Sequence, residues 1–312
     1  MFKIKRYSDV DRKSWDEYVH RARNATFLFE RNYMEYHADR FDDYSLMFYR
    51  QDRLYALLPA HRSGTMLISH FGLTYGGLIM DVHVTLSDTC QLFSSLNDYL
   101  RSQGFTRVLY RPIPWVYHTL PSEEDLYAIF WRCHARLYRR NIGTAICMRQ
   151  HLPWRKDHQR RLRQACQNGV TVKANSDVAE FWPVLVDNLH RRYDASPVHT
   201  LEEIQLLQKR FPDNIVQYSA YRNGHIIGGI TFYITPQVIH GQYSATNDEG
   251  KEYGAMEAIY DRVMYYDYKN MEYLDFGSST EEDGSVVNDG LIAHKEGYGG
   301  RGVAYDTYEW EL

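Results

Sequence analysis

The sequence predicts a mixed α/β fold, with helices flanking mixed, mostly antiparallel sheets, built as two similar domains in tandem. Three observations carry this prediction. One order of elements (helix, helix, consecutive strands, helix, strand) occurs twice at an offset of about 170 residues, so that Arg40-Phe41 is matched by Arg210-Phe211 and His70 by His240. The apolar and β-branched runs are joined by short polar turns, of which Asn223-Gly224 is the strongest hairpin signal. The 312 residues, 44% of them hydrophobic, are enough for two cores.

In the first copy a helical segment starts at Trp15 and leads through Phe27-Leu28-Phe29 into a second one ending near Phe41. Two β-like runs follow, Ser45 to Arg50 and Leu54 to His61, turning at Gln51-Asp52-Arg53, and a third reaches Ser69-His70. An amphipathic helix from Leu86 to Gln103 and a short strand from Arg107 to Arg111 complete it. The second copy has helices from Trp182 and from Leu201 to Lys209, with Thr200 and Glu203 spaced as a capping box. Its strands run from Ile215 to Arg222, from Ile226 to Ile234 and through Ile239-His240, before a helix from Ala255 to Lys269 and a strand from Tyr273 to Phe276. A repeat this long indicates twin domains, placed at 1–133 and 134–312, and not a solenoid.

Thirty-six Lys and Arg against 40 Asp and Glu give a net charge of −4, which argues against DNA binding through a global basic field. The N-terminal stretch lacks an apolar signal core, and no segment approaches the roughly 18 apolar residues of a membrane span, so a cytoplasmic protein is expected. Cys90, Cys133, Cys147 and Cys166 are scattered without metal-ligand spacing; they are expected to be buried thiols, with no metal. Motifs for Ser-His-Asp hydrolysis, zinc peptidases, P-loops and dinucleotide binding are absent.

The stretch Tyr273-Leu274-Asp275-Phe276-Gly277-Ser278-Ser279-Thr280 takes an apolar strand into an acid and small polar residues, and Gly290-Leu291-Ile292-Ala293-His294-Lys295-Glu296-Gly297-Tyr298-Gly299-Gly300 then places a lone Lys between Gly-rich turns. Together they resemble the last third of the Fem-type peptidoglycan aminoacyltransferases and related members of the GNAT acyltransferase superfamily, where a D-F-G-like turn precedes G-L-x-x-x-K-x-x-(F/Y)-G-G. The basic segment Trp154 to Val172, read as a cationic helix feeding a strand, is similar to another element of those proteins. The resemblance implies two GNAT-like domains, with the acyl donor in the second.

It also implies residue roles. A GNAT enzyme holds the pyrophosphate of acyl-CoA on a (Q/R)-x-x-G-x-(G/A) loop; Lys251, Tyr253, Gly254 and Ala255 stand in that position, with Lys for Gln or Arg and Met256 where Gly or Ala is usual. Lys295 matches the Fem-type Lys and is the expected oxyanion stabiliser. Asp275, His240 and Tyr243 are candidates for orienting or deprotonating the amine; alternation puts His240 on one face of its strand and Tyr243 on the other. Arg160 and Arg163 on the basic helix are candidates for substrate phosphates. His70 and Tyr75, in an aromatic Gly-rich run, are candidates for a substrate wall. The resulting expectation is an N-acyltransferase using acetyl-CoA or another acyl-CoA, acting on an amine of a small or nucleotide-linked cell-envelope precursor. Its alternatives are transfer from an aminoacyl-tRNA in peptidoglycan synthesis, with tRNA as partner, and a non-catalytic GNAT-fold binding protein.

Overall fold

The computed structural model describes residues 2–312. The chain forms two compact units, one holding the residues up to Ile142 with Glu282–Val286 and Ala304–Leu312, the other holding Gly143–Glu281 and Val287–Val303. The change of unit therefore falls at Ile142/Gly143 and not at 133/134, and the C-terminal residues belong to the first unit. No helix of the described residues is long and apolar enough to cross a membrane.

In the first unit, β1 (Lys3–Arg6), β2 (Leu46–Arg50), β3 (Arg53–Leu58) and β6 (Ile79–Met80) form an antiparallel sheet in the order β1-β2-β3-β6. Gln51 and Asp52 both take positive φ to turn β2 into β3, without a glycine. Between β3 and β6 lie β4 (His61–Ser63) and β5 (Met66–Ile68); β5 runs parallel to β7 (Arg107–Tyr110). After α1 (Arg12–Arg21), the long helix α2 (Leu86–Ser102) starts where its periodicity indicates, with Thr85 accepting from the Asp88 amide, and buries Leu92, Phe93 and Leu96 with Phe48, Tyr110 and Trp310. A further helix, α3 (Glu124–Cys133), ends at left-handed His134 and was not anticipated.

Neither residue of this unit proposed for a substrate wall has that surface role. Tyr75 is buried against Phe29 and Tyr117, its hydroxyl donating to Thr26. His70 is also buried, in a cluster with His37, His61 and Phe41 whose ring centroids lie 5.0–5.4 Å apart for the His37–Phe41, Phe41–His70, His37–His70 and His61–His70 pairs. Burial pushes the imidazoles of His37 and His61 down to about 4 and that of His70 to about 3. Below the ordinary value of 6.5 the unfolded chain gains protons on these rings that the folded unit refuses. Stability should therefore fall as pH is lowered from about 6.5 toward 4, by on the order of 1 kcal/mol per histidine at pH 5. Urea unfolding at pH 7 and pH 5 measures this, and His61→Gln/His70→Asn should narrow the difference between the two curves.

In the second unit the strands are β8 (Arg136–Cys147, from Gly143), β9 (Thr171–Ala174), β10 (Ile215–Arg222), β11 (His225–Ile234), β12 (Val238–Thr246) and β13 (Tyr273–Ser278), in the order β9-β10-β11-β12-β13-β8. Every neighbouring pair is antiparallel except β12 and β13, which run parallel. Asn223 and Gly224 take positive φ in the β10–β11 turn, as that dipeptide favours. One face of the sheet is covered by α5 (Val178–Tyr193) and α6 (Leu201–Arg210), the latter opened by the Thr200–Glu203 capping box. The other face carries α4 (Lys156–Gln167), the six-residue α7 (Asp248–Tyr253) and α8 (Ala255–Arg262), packed on Tyr218, Ile230, Phe232 and Leu274. The anticipated helix from Ala255 to Lys269 changes at Val263–Asp267 into a π-turn. Cys90 and Cys133 are buried, whereas Cys147 and Cys166 are exposed.

Candidate active site

The register of β12 with β13 covers three pairs only, Val238↔Tyr273, Ile239↔Leu274 and His240↔Asp275. Beyond them β12 continues from Gly241 to Thr246 paired to β11 alone, and the two parallel strands diverge. A cleft of about 580 Å³ occupies the divergence, with Gly241, Ser244 and Thr246 on one side, Phe276 on the other, and α4, α8 and α9 (Asp289–Gly297) contributing further walls. Arg161, Arg192 and Lys251 bring positive charge to it.

Two irregularities shape this region. In β13 the pairing to β8 shifts between Asp275 and Ser278, where Gly277 has φ +71°; a Cβ there would meet His240 Cε1 at 3.2 Å. In β12 a second shift, between its partners Thr231 and Phe232, inserts Gln242 as an extra residue. Simple alternation therefore fails, and Tyr243 falls on the face of His240 and not on that of Ile239 and Gly241. There it meets Trp182 edge to face at 5.6 Å, and its hydroxyl lies 2.6 Å from His199 Nδ1, away from the cleft.

Asp275 is fully buried: Oδ2 lies 2.8 Å from His240 Nδ1, and Oδ1 accepts from the Gly277 amide at 2.8 Å. The pair fastens the last registered residues of β12 and β13, while the cleft wall is made by their neighbours Gly241 and Phe276. Lys295, by contrast, does line the cleft. It sits on a helix, α9, where two Gly-rich turns were expected, with Asn288 capping the Leu291 amide. Its Nζ donates to the carbonyls of Gly277 (3.0 Å) and Ser278 (2.6 Å), at the shift in the β13–β8 register. Burial pushes its ammonium down to about 8, against the pull of the Asp275 charge.

The proposed phosphate loop is built differently from its sequence pattern. The helix after β12 begins at Asp248, with Asn247 capping the Gly250 amide, so Gly254 ends α7 and does not begin the helix that follows the strand. Its φ is +74°, and a Cβ would stand 2.5 Å from the Arg161 carbonyl oxygen of α4. Gly254 thus serves a left-handed turn and a close helix contact. Ala255 is buried in the core, and Tyr253 stacks under the Arg222 guanidinium at 4.0 Å. Of the four residues assigned to that loop only Lys251 reaches the cleft, and its carbonyl accepts from Arg161 Nη1 at 2.9 Å. On α4 the cleft residues are Asp157, His158 and Arg161; Arg160 lines a smaller groove beside Lys251, and Arg163 is exposed outside both.

Sequence reasoning missed His158 and Glu257, which come together across 99 residues with Nδ1 and Oε1 2.8 Å apart. His158 lies inside the basic segment from Trp154 to Val172, and Glu257 inside the helix expected from Ala255 to Lys269, without a motif that marks either. The spacing of Glu257 from the buried Ile259 and Tyr260 does place it near the apolar face, which is the one signal available.

No protein-family model matches the sequence, and no curated protein matches it. Solved structures do match in fold. FemX aligns with a TM-score of 0.70 at 9% identity, over 99% of this chain and 97% of its own. L-PGS from Bacillus licheniformis aligns at 0.62 and 12%, over 95% and 90%. A tandem GNAT protein from the clavulanic acid biosynthesis pathway aligns at 0.56 and 10%, over 100% and 98%. The chain therefore has the tandem GNAT fold.

Gly254→Val should destabilise the protein by about 3 kcal/mol, because it adds both a β-branched residue at positive φ and a clash with the α4 backbone. Thermal or urea unfolding measures this; a parental melting temperature would show that the turn relaxes freely.

Proposed function

We propose that the protein is an acyltransferase that works in the cleft of its second unit, moving an acyl group from acyl-CoA to a primary amine. The observation that carries this reading is the unpaired edge of β12 from Gly241 to Thr246, facing a cleft with a cationic side. An extended chain rich in amides can add to such an edge as a strand would, through main-chain hydrogen bonds. The pantetheine arm of CoA is such a chain, and its phosphates suit Arg161, Arg192 and Lys251. The likeness in fold to a tandem GNAT protein and to FemX supports the same class of chemistry.

In the reaction the amine nitrogen attacks the thioester carbonyl, the C–N bond forms, negative charge gathers on oxygen, and the C–S bond then breaks with a proton passing from nitrogen to the leaving thiolate. Lys295, on the cleft wall, meets that oxygen with a positive charge, having one N–H left beyond its two carbonyl bonds. A second reading, with aminoacyl-tRNA as donor, is favoured by the exposed Arg160 and Arg163 beside the cleft, which could take an RNA backbone.

Calorimetric titration with CoA and acetyl-CoA tests the donor. Gly241→Leu is the variant of choice, since a Cβ there meets nothing closer than 3.8 Å and the rest of the side chain fills the cleft. The parent should bind CoA and the folded variant should not; a parent that ignores CoA but binds RNA would move the assignment to the second reading.

Lys295→Met should lower turnover by about 100- to 1000-fold. It also strips the Gly277 and Ser278 carbonyls of their donor, costing on the order of 1–3 kcal/mol of stability, so the melting curve must be read beside the rate. With the ammonium pushed down to about 8, parental turnover should fall as pH rises through that value, and this descending limb should disappear in Lys295→Arg, which stays charged. An unchanged limb in the Arg variant would assign it to another group.

A further inference from the structure

Glu257 is a buried carboxylate in a cleft whose other charged side chains are mostly cationic. It is 2% exposed, and no Lys or Arg forms an ion pair with it among the described residues. Buried charges of this kind normally have a partner, because desolvation costs several kcal/mol per ion. What Glu257 has is two hydrogen-bond donors on one oxygen: His158 Nδ1 at 2.8 Å and the Tyr298 hydroxyl at 3.2 Å, both on Oε1. The second oxygen, Oε2, takes no hydrogen bond within the described protein, although the residue lines the cleft.

The other ring nitrogen of His158 takes no part in this contact. Its Nε2 is buried without a partner and points at Gly297, where a Cβ would lie 2.5 Å from it and 2.9 Å from Arg155 Nε. The ring is fixed in place, stacked on Tyr298 with centroids 4.0 Å apart. Burial, then the Glu257 charge, holds the Tyr298 phenol far above its ordinary range, so it remains a donor. Burial alone would raise the Glu257 carboxyl, but the hydrogen bond from His158 brings it below its ordinary value. The carboxylate is thus kept charged by the hydrogen bond from His158, with the Arg161 charge also favouring it, and Oε2 is left without a hydrogen-bond donor.

We infer that Glu257, held by His158 and Tyr298, is the binding site for a primary ammonium group, which pairs with Oε2 in the cleft. The inference rests on the acyl transfer proposed above and specifies its substrate class: one of the two substrates carries a positively charged amine. That amine belongs either to the acceptor or to the α-position of an aminoacyl donor, and the chemistry at Glu257 is the same for both.

The test uses two pairs of probes titrated by NMR at a slightly acidic pH, where both amines are protonated. Alanine methyl ester and methyl lactate differ only by ammonium against hydroxyl and represent an aminoacyl donor; n-butylamine and n-butanol represent a simple acceptor. The parent should bind the amine of at least one pair about 10- to 100-fold more tightly than its hydroxyl twin. A preference in the ester pair assigns the site to the donor, and one in the butyl pair to the acceptor. Glu257→Gln, which keeps an oxygen for His158 and Tyr298, should abolish the preference, whereas Tyr298→Phe, which keeps the charge, should retain it. A parent that does not distinguish amine from hydroxyl, or a Glu257→Gln protein that distinguishes them as well as the parent, overturns the inference. CoA titration of the same samples separates the two claims: amine selectivity without CoA binding removes only the donor assignment, and CoA binding without amine selectivity removes only this site.

Discussion

Three residue pairs between β12 and β13 decide the character of the second unit. Had the two parallel strands stayed in register to their ends, the sheet would be closed and its edge groups consumed by one another. They separate because β12 inserts an extra residue at Gln242 and β13 bulges at Gly277, so that neither keeps the pleat needed to continue the ladder. His240 and Asp275 hold the last pair together with a hydrogen bond between buried groups, which sets where the opening starts. The cleft is therefore a property of backbone register before it is a property of any side chain that lines it.

The helices around the cleft are placed by close backbone approach at glycine. Gly254 admits α4 against the turn between α7 and α8, and Gly297 admits the His158 ring against the end of α9. Through these contacts α4 brings His158 to Glu257, and α9 brings Lys295 to the bulged carbonyls of β13. The two charged groups of interest, one anionic and one cationic, thus stand on separate helices but are referred to the same strand pair. A group-transfer site needs this: partners fixed by rigid elements and not by long loops.

Local chemistry explains which parts of this were legible in the sequence. The Asn223-Gly224 turn and the Thr200–Glu203 capping box depend on residues a few positions apart, and each formed as its composition dictates. Lys295 was found because its neighbourhood repeats a recognisable pattern, yet its helix was hidden by the glycines at 290 and 297. The bulge at Gln242 left no mark, so strict alternation carried Tyr243 to the wrong face. Gly254 was assigned to phosphate because its turn resembles a ligand loop; only tertiary contact reveals that the close neighbour is Arg161 of the same chain. The pairing of His158 with Glu257 has a sequence separation that no periodicity spans.

The two carbonyls that converge on Lys295 Nζ have a meaning beyond hydrogen bonding. Oxygens of one bulge, both directed at a single positive centre, make part of a coordination shell, and the protein fills that shell with an ion tethered by its own side chain. The bend of the strand and the charge of the side chain are in this sense one unit: the oxygens face the ion, and the ion is held by both oxygens.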